Sequence, residues 1–247
     1  MEEIKAAIFD LDGTLVDTES LSDKAVLFSL KEFLPQNVWE DRAAAGYQLP
    51  WDAKKQILGL RGSEWAPKII QYAVEHWGVS KDNAPSVEDV WNSWERHLNS
   101  FCGEVQACVG AAELVERFAG LDVPMAIATS SRLAAVSEKS KNHVAMFSKI
   151  KEIVAGDDPA VKNGKPAPDI YLEAARRLGV DPKNCVVFED ALSGAKAGKE
   201  AGCFVVAVPD NRFGPEERAS FFQVSDIVID NLSQFDGSQV GLQWYAN

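Results

Sequence analysis

Six short apolar runs recur along the chain, and each is bounded by polar or turn-forming residues. Runs of this kind are typical of strands that are buried on both faces of a parallel sheet. The runs are residues 4–9, 123–129, 152–156, 185–189, 203–208 and 226–230. Helical patterns such as residues 111–120, 168–179 and 194–202 lie between them, each ending near a glycine that can cap a helix. This alternation predicts an α/β fold, with a parallel sheet covered by helices on both faces.

One segment, residues 17–103, departs from this alternation. It contains helical patterns, no convincing strand and six of the seven tryptophans of the chain. These tryptophans are Trp39, Trp51, Trp65, Trp77, Trp91 and Trp94. Large aromatic side chains suit a module that must build its own core, so we expect most of them to be packing residues. We therefore predict an α/β core of residues 1–16 and 104–247, interrupted by a helical domain of residues 17–103.

Composition narrows the classes of partner. The net charge of the 247-residue chain is -12, which disfavours binding to nucleic acid or to an anionic membrane surface. No apolar run approaches the roughly 18 residues that a membrane-spanning helix needs. The four cysteines form no CxxC pair, which favours reduced thiols over a zinc site. We expect a cytoplasmic protein.

Polar side chains cluster after the predicted strands. They are Asp10 and Asp12 after the first run, Thr129, Ser130 and Ser131 after the second, Lys165 in the loop after the third, and Glu189 and Asp190 after the fourth. Ligands of open parallel sheets bind outside the carboxyl ends of the strands. We therefore expect these residues to share one site.

The residue types at this site suit phosphate chemistry. Asp10 and Asp190 would repel each other unless a cation lay between them, and oxygen-only ligands suit Mg²⁺. A carboxylate held in this way can also act as a nucleophile. Asp12 could then protonate the leaving alcohol and later deprotonate water. Thr129 and the amides after it could hold phosphate oxygens, while Lys165 neutralises developing charge.

Taken singly, each motif has a simpler interpretation. A lone DxD is most often a turn or a helix cap, ATSS could begin a helix, and a lone lysine is usually solvated. The joint occurrence of these motifs, in order and at strand ends, favours the functional interpretation. A Ser/His/Asp hydrolase is disfavoured because no GxSxG motif occurs. The three histidines, His76, His97 and His143, share no spacing that suggests a metal site or a triad.

Four motifs of the chain resemble those of the haloacid dehalogenase-like superfamily. They are FDLDGTLVDTE, AIATSSR, GKPAPDIY and VFEDALSGAKAGKEAG, and they resemble the branch of phosphatases and phosphomutases with a helical cap between the first two motifs. The resemblance implies a Rossmann-like α/β core and a phosphoric monoester hydrolase. It makes Asp10 the nucleophile, Asp12 the general acid/base, and Thr129 and Lys165 phosphate binders. It also implies Mg²⁺ as cofactor, held by Asp10, the backbone carbonyl of Asp12 and Asp190, with Glu189 nearby or as a further ligand.

Within the superfamily, the stretch VAGDDPAVKNGKPAPDIYLEAARRLG with CVVFEDA and VGLQWY most resembles the pseudouridine-5'-phosphatase group. It is also similar to plant phosphatases that act on glycerol 3-phosphate or flavin mononucleotide. We expect the helical insert to close over the strand ends and to set specificity. We expect Arg61 of the GLRG turn to contact the leaving group, and Ser130 and Ser131 to contact the phosphate. The expected substrate is a small phosphorylated metabolite, handled by a monomer.

Two alternatives to a phosphatase remain open at this point. A phosphomutase like β-phosphoglucomutase would share the aspartyl phosphate, so the core motifs do not separate it from a phosphatase. A relative that only binds a phosphorylated ligand would have no use for Asp10 and Asp12. A dehalogenase is disfavoured because it has no alkoxide for Asp12 to protonate.

Overall fold

The computed structural model describes residues 3–57 and 62–242, with only the backbone described at residues 62–64. The chain divides into two compact units. The α/β unit combines Met1–Asp17 with Gln106–Asn247, and the helical unit is the continuous segment Thr18–Val105. The α/β unit is thus assembled from two stretches of chain that the helical unit separates in sequence.

A parallel sheet of six strands forms the centre of the α/β unit. The strands are β1 (Ala6–Phe9), β2 (Met125–Ala128), β3 (Glu152–Val154), β4 (Cys185–Glu189), β5 (Phe204–Ala207) and β6 (Ile227–Val228). Their order in the sheet is β3-β2-β1-β4-β5-β6, and every neighbouring pair is parallel. Each strand lies within one of the six apolar runs, which confirms the predicted sheet.

Five α-helices build the helical unit, and its described residues contain no strand. They are α1 (Thr18–Leu30), α2 (Gln36–Ala44), α3 (Trp51–Ile57), α4 (Gly62–His76) and α5 (Val87–Phe101). Trp65 and Trp77 are buried in the core of this unit. Trp39, Trp91 and Trp94 are partly buried and pack against the same core. Most of the tryptophans are therefore packing residues, as predicted.

A buried ion cluster links three segments of the helical unit. The Nζ of Lys54 lies 2.5 Å from Oδ1 of Asp23 and 2.6 Å from a carboxylate oxygen of Glu19. The other oxygen of Asp23 accepts a hydrogen bond from the amide of Leu49 at 3.2 Å. Burial alone would lower the pKa of Lys54, but the charges of Glu19 and Asp23 outweigh it and raise the pKa. The lysine is therefore charged at neutral pH and balances a carboxylate that has no access to water.

Lys54→Met should destabilise the helical unit, because it leaves the carboxylate of Asp23 buried without a cation. Breaking one partner of a buried ion pair costs about 3–5 kcal/mol of the free energy of unfolding. Urea denaturation followed by tryptophan fluorescence measures this loss, since six of the seven tryptophans lie in this unit. Lys55→Met, at the exposed neighbouring position, is the matched control. Equal unfolding midpoints for the two variants would contradict the stabilising role of the cluster.

The described residues of the α/β unit form six further α-helices. They are α6 (Ala111–Gly120), α7 (Leu133–Ser140), α8 (Val144–Phe147), α9 (Asp169–Leu178), α10 (Leu192–Glu200) and α11 (Pro215–Ala219). The predicted helix 111–120 is observed with the same bounds, and the other two predicted helices correspond to α9 and α10. Short 3₁₀ helices are present at Lys81–Asn83, Cys102–Glu104, Pro182–Asn184, Phe221–Gln223, Leu232–Gln234 and Gly237–Val240.

Helices cover both faces of the sheet. On one face, Ile8 packs in a buried cluster with residues of α9 and α10. On the other face, Phe9 stacks on Phe188 with ring centroids 5.0 Å apart, and Phe118 of α6 meets both rings edge to face. The central strands are buried throughout, so their register is fixed by both faces. The loops that follow these strands are therefore held at their carboxyl ends.

No helix within the described part of the chain is both long and apolar enough to span a membrane. The four cysteines, all among the described residues, form no disulfide, as expected for reduced thiols.

Candidate active site

The first carboxylate of the site directly follows β1. Asp10 is 6% exposed, and its amide donates to the carbonyl of Phe188 at 3.0 Å, which extends the pairing of β1 with β4 by one residue. The chain then turns, and the amide of Gly13 donates to the carbonyl of Val16 at 2.8 Å. Asp10 is therefore held by the sheet, whereas Asp12 lies on the turn that follows it.

Gly13 is required by two features of this turn. Its φ of +84° lies in the left-handed region, which side chains disfavour. A Cβ at this position would lie 2.2 Å from a carboxylate oxygen of Asp190. The absence of a side chain thus lets the loop after β4 approach the loop after β1.

The loop after β2 adds hydroxyl groups beside Asp12. Thr129 is buried, and its amide donates to the carbonyl of Val154 at 3.0 Å. Its hydroxyl oxygen accepts from the amide of Ser131 at 3.0 Å and donates to Oδ2 of Asp12 at 3.4 Å. The hydroxyl of Ser131 donates to the same oxygen at 2.7 Å, whereas Ser130 is exposed at the surface of the loop.

Lys165 bridges the ends of three strands. Its Nζ donates to Oδ1 of Asp10 at 2.6 Å, to the carbonyl of Ala128 at 3.1 Å and to Oε1 of Glu189 at 2.5 Å. Burial alone would lower the pKa of Lys165, but the charges of Asp10 and Glu189 outweigh it and raise the pKa. The ammonium group is therefore charged at neutral pH and points at the carboxylate that follows β1.

Both oxygens of Glu189 already have hydrogen-bond donors. Besides Lys165, Oε1 accepts from the hydroxyl of Tyr171 at 2.7 Å, and Oε2 accepts from the amide of Ala191 at 2.9 Å. A Cβ on Gly194 would lie 1.6 Å from Oε1, so the first turn of α10 passes directly against this carboxylate. Glu189 thus orients Lys165, and the buried Tyr171 holds Glu189 in place.

Three carboxylates could hold a metal ion. One oxygen from each of Asp10, Glu189 and Asp190 lies within 4.8 Å of the others. The pKa of Asp10 is raised to about 7, chiefly because the carboxylate is buried. The charge of Lys165 lowers this pKa, whereas the charges of Glu189 and Asp12 raise it. A cation beside Asp10 would favour its charged form. Hard oxygen ligands of this kind fit Mg²⁺.

The structure adds two residues that sequence reasoning missed. Tyr171 lies in α9, where its local sequence is typical of a core residue and does not indicate a hydrogen bond to Glu189. Lys139 lies in α7, where its ammonium group forms an ion pair with Asp12. A signal for Lys139 did exist, because it stands three residues after the buried Val136 and hence on the inward face of the helix.

Most of the predicted site residues are brought together within the α/β unit. The ammonium of Lys165 donates to both Asp10 and Glu189. The hydroxyls of Thr129 and Ser131 donate to Asp12. The group also includes Asp190 through its proximity to Asp10. Arg61, predicted to contact the leaving group, lies outside the described residues.

Comparisons with known proteins agree on one family. The sequence model of the haloacid dehalogenase-like hydrolases matches residues 4–202. The chain is 33% identical to (DL)-glycerol-3-phosphatase 1, mitochondrial, of Arabidopsis thaliana, over 97% of this chain and 74% of that protein. It is also 33% identical to the probable pseudouridine-5'-phosphatase of Drosophila melanogaster, over 100% of this chain and 98% of that protein.

A solved structure shares the fold. The crystal structure of a HAD family hydrolase from Deinococcus radiodurans R1, with bound phosphate and sodium, superimposes with a TM-score of 0.71 at 24% sequence identity. The match covers 97% of this chain and 96% of the other. The Rossmann-like α/β architecture is therefore shared with that protein.

Proposed function

The chain belongs to the haloacid dehalogenase-like hydrolases and is a phosphatase of that family. We propose that it is a Mg²⁺-dependent phosphomonoesterase and that it works through an aspartyl phosphate on Asp10. One observation carries the proposal. A buried carboxylate, Asp10, lies 2.6 Å from the ammonium of Lys165, while a second carboxylate, Asp12, is held beside it by the hydroxyls of the loop after β2. In this proposal Asp10 is the nucleophile, Lys165 the cation and Asp12 the acid/base group, and all three lie near the carboxyl ends of the strands.

The metal-binding part of the proposal rests on oxygen ligands. Asp10 and Asp190 would hold Mg²⁺ together with the backbone carbonyl of Asp12, with Glu189 beside them. When bound, the ion would neutralise phosphate charge and orient the phosphoryl group. The cluster of carboxylates supports this assignment, because the ammonium of Lys165 offsets one of the three negative charges and a bound cation would offset the others.

The chemistry proceeds in two steps on this chain's own residues. A carboxylate oxygen of Asp10 attacks phosphorus, the ester P–O bond breaks, and Asp12 gives its proton to the leaving oxygen. Water then attacks the phosphorus of the aspartyl phosphate while Asp12 takes a proton from it. The P–O bond to Asp10 breaks, which releases inorganic phosphate, restores the carboxylate of Asp10 and leaves Asp12 protonated for the next cycle.

The remaining residues stabilise charge. Lys165 is fixed by Ala128 and Glu189 before substrate arrives, so it can neutralise transferring oxygens without reorganising. Thr129 and Ser131 add two hydroxyl groups beside Asp12. We propose that these groups, together with Ser130, bind the phosphate.

The substrate is the finer part of the proposal. A small phosphorylated metabolite, pseudouridine 5'-phosphate, is favoured because the match to the Drosophila protein named for that activity runs the full length of both chains. The glycine-flanked Arg61 suits a polar leaving group by its sequence alone. We further expect the protein to act in the cytoplasm as a monomer.

A panel of phosphate esters under one magnesium concentration tests this assignment. Pseudouridine 5'-phosphate should be hydrolysed with a higher kcat/KM than glycerol 3-phosphate, flavin mononucleotide or sugar phosphates. Arg61→Ala should raise KM for it, and Arg132→Ala, outside the helical unit, is the control. A preference for glycerol 3-phosphate would overturn the substrate while leaving the phosphatase intact.

The same panel separates the alternatives. Conversion of one sugar phosphate isomer to another without phosphate release would identify a phosphomutase like β-phosphoglucomutase. Binding of every ester without turnover would identify a non-catalytic relative. The nucleophile and acid/base pair favour the hydrolase over the pure binder.

A further inference from the structure

Lys139 occupies a position that lysine rarely takes. It lies on the inward face of α7 and is only 7% exposed. Lysine is almost never buried to this extent unless its charge is paired.

Lys139 contacts Asp12, the second carboxylate of the site, and Ser131, which also contacts Asp12. Its ammonium pairs with Oδ1 of Asp12 and donates to the hydroxyl oxygen of Ser131 at 2.9 Å. Ser131 in turn donates to Oδ2 of Asp12 at 2.7 Å. The lysine, the serine and the aspartate thus form a closed ring of hydrogen bonds.

This ring fixes the orientation of a side chain that stands on a turn. The backbone of Asp12 lies beyond the last residue of β1, so the sheet itself does not hold its carboxylate. A carboxylate has about four acceptor sites, and Lys139, Ser131 and Thr129 all donate to the carboxylate of Asp12. The side chain of Asp12 is 29% exposed, which leaves it open to substrate.

We propose that Lys139 is a positioning residue, which holds the carboxylate of Asp12 towards the leaving oxygen of the phosphate ester. This inference rests on the proposed acid/base role of Asp12. Proton transfer requires the acid within hydrogen-bond reach of the leaving oxygen, and a misplacement of about 1 Å can cost about 10²-fold in rate. Lys139 therefore acts on the proton transfer and not on phosphate binding.

Leaving groups of different basicity test this role. The probes are 4-nitrophenyl phosphate, whose phenolate departs without a proton, and phenyl phosphate, whose more basic phenolate needs one. Rapid-mixing measurements of phenol release report the formation of the aspartyl phosphate for each. Lys139→Met should slow this step about 10–10²-fold for phenyl phosphate, with little change for 4-nitrophenyl phosphate and an unchanged KM. Equal losses on both probes, or a raised KM with unchanged rate, would overturn the proposal.

Matched variants separate a positioning role from a structural one. Lys141→Met, two residues on and exposed, should leave both rates unchanged. Ser131→Ala removes the other member of the ring and should reproduce part of the same leaving-group dependence, even where Lys139→Met folds poorly. If Ser131→Ala and a folded Lys139→Met both leave phenyl phosphate unaffected, the ring has no role in proton transfer.

Asp12→Asn distinguishes failure of this inference from failure of the proposed mechanism. It should show the full leaving-group dependence, and adding Lys139→Met to it should cost little more, because residues that act as a unit are not additive. A dependence in Asp12→Asn without one in Lys139→Met refutes only the positioning role. No dependence in Asp12→Asn refutes the acid/base assignment itself.

Discussion

Asp10→Asn should lower the rate of phosphate release by about 10⁴-fold or more, as expected when a covalent nucleophile is lost. The amide has nearly the same shape, so it keeps the position beside Lys165 but lacks the negative charge that attacks phosphorus. The expected measurements are no phosphate release in steady state and no acid-stable phosphoryl label on the protein after rapid quenching. An undiminished rate in the folded variant would show that the covalent mechanism is wrong.

The stability of Asp10→Asn provides a second check. Glu189 and Asp190 both lie near this carboxylate, so removing one negative charge relieves repulsion. We expect the unfolding midpoint to stay equal or to rise, because Lys165 keeps its ion pair with Glu189 when the charge of Asp10 is removed. Asp82→Asn, at an exposed position of the helical unit, is the control and should change neither activity nor stability.

Removal of divalent cations should also abolish activity, and added Mg²⁺ should restore it. Without a cation, the carboxylates of Asp10, Glu189 and Asp190 would face a dianionic phosphate, and the single charge of Lys165 would not offset theirs. Phosphate release in buffer treated with EDTA, before and after magnesium is added back, measures the effect. Full activity in the chelated buffer would refute the requirement for a metal.

A binding measurement separates the metal site from the chemistry. Ligands that bind only the folded state raise the melting temperature, so Mg²⁺ should raise that of the wild-type protein without any substrate. The shift should be much smaller in Asp190→Asn and unchanged in Asp82→Asn. An equal shift in all three proteins would place magnesium elsewhere on the chain.

The sheet could be predicted because parallel strands buried on both faces have a simple sequence pattern. The run 185–189 became β4 with the same bounds, since it lies between two other strands. The run 226–230 became only the two-residue β6. That strand stands at the edge of the sheet and has one neighbour, so its ends are set by tertiary contacts that composition does not report.

The candidate site could be predicted only where chemistry follows a strand. Asp10, Thr129 and Asp190 stand at strand ends, where the topology of an open sheet brings residues together. Lys139 and Tyr171 reach the site from the helices α7 and α9. Their partners are distant in sequence, and a lysine or tyrosine in a helix has the same local pattern whether it packs, faces water or orients a carboxylate.

The order of the strands has a consequence for how the protein is made. Ala7 of the central strand pairs with Met125 and Val186, which leave the ribosome long after it. The continuous helical unit is complete before either partner exists. Domains generally fold as units during synthesis, and non-local pairing is slow. The apolar β1 therefore stays unpaired until both strands that flank it have been made, so Asp10, the proposed nucleophile at its end, is synthesised well before the strands that hold it in place.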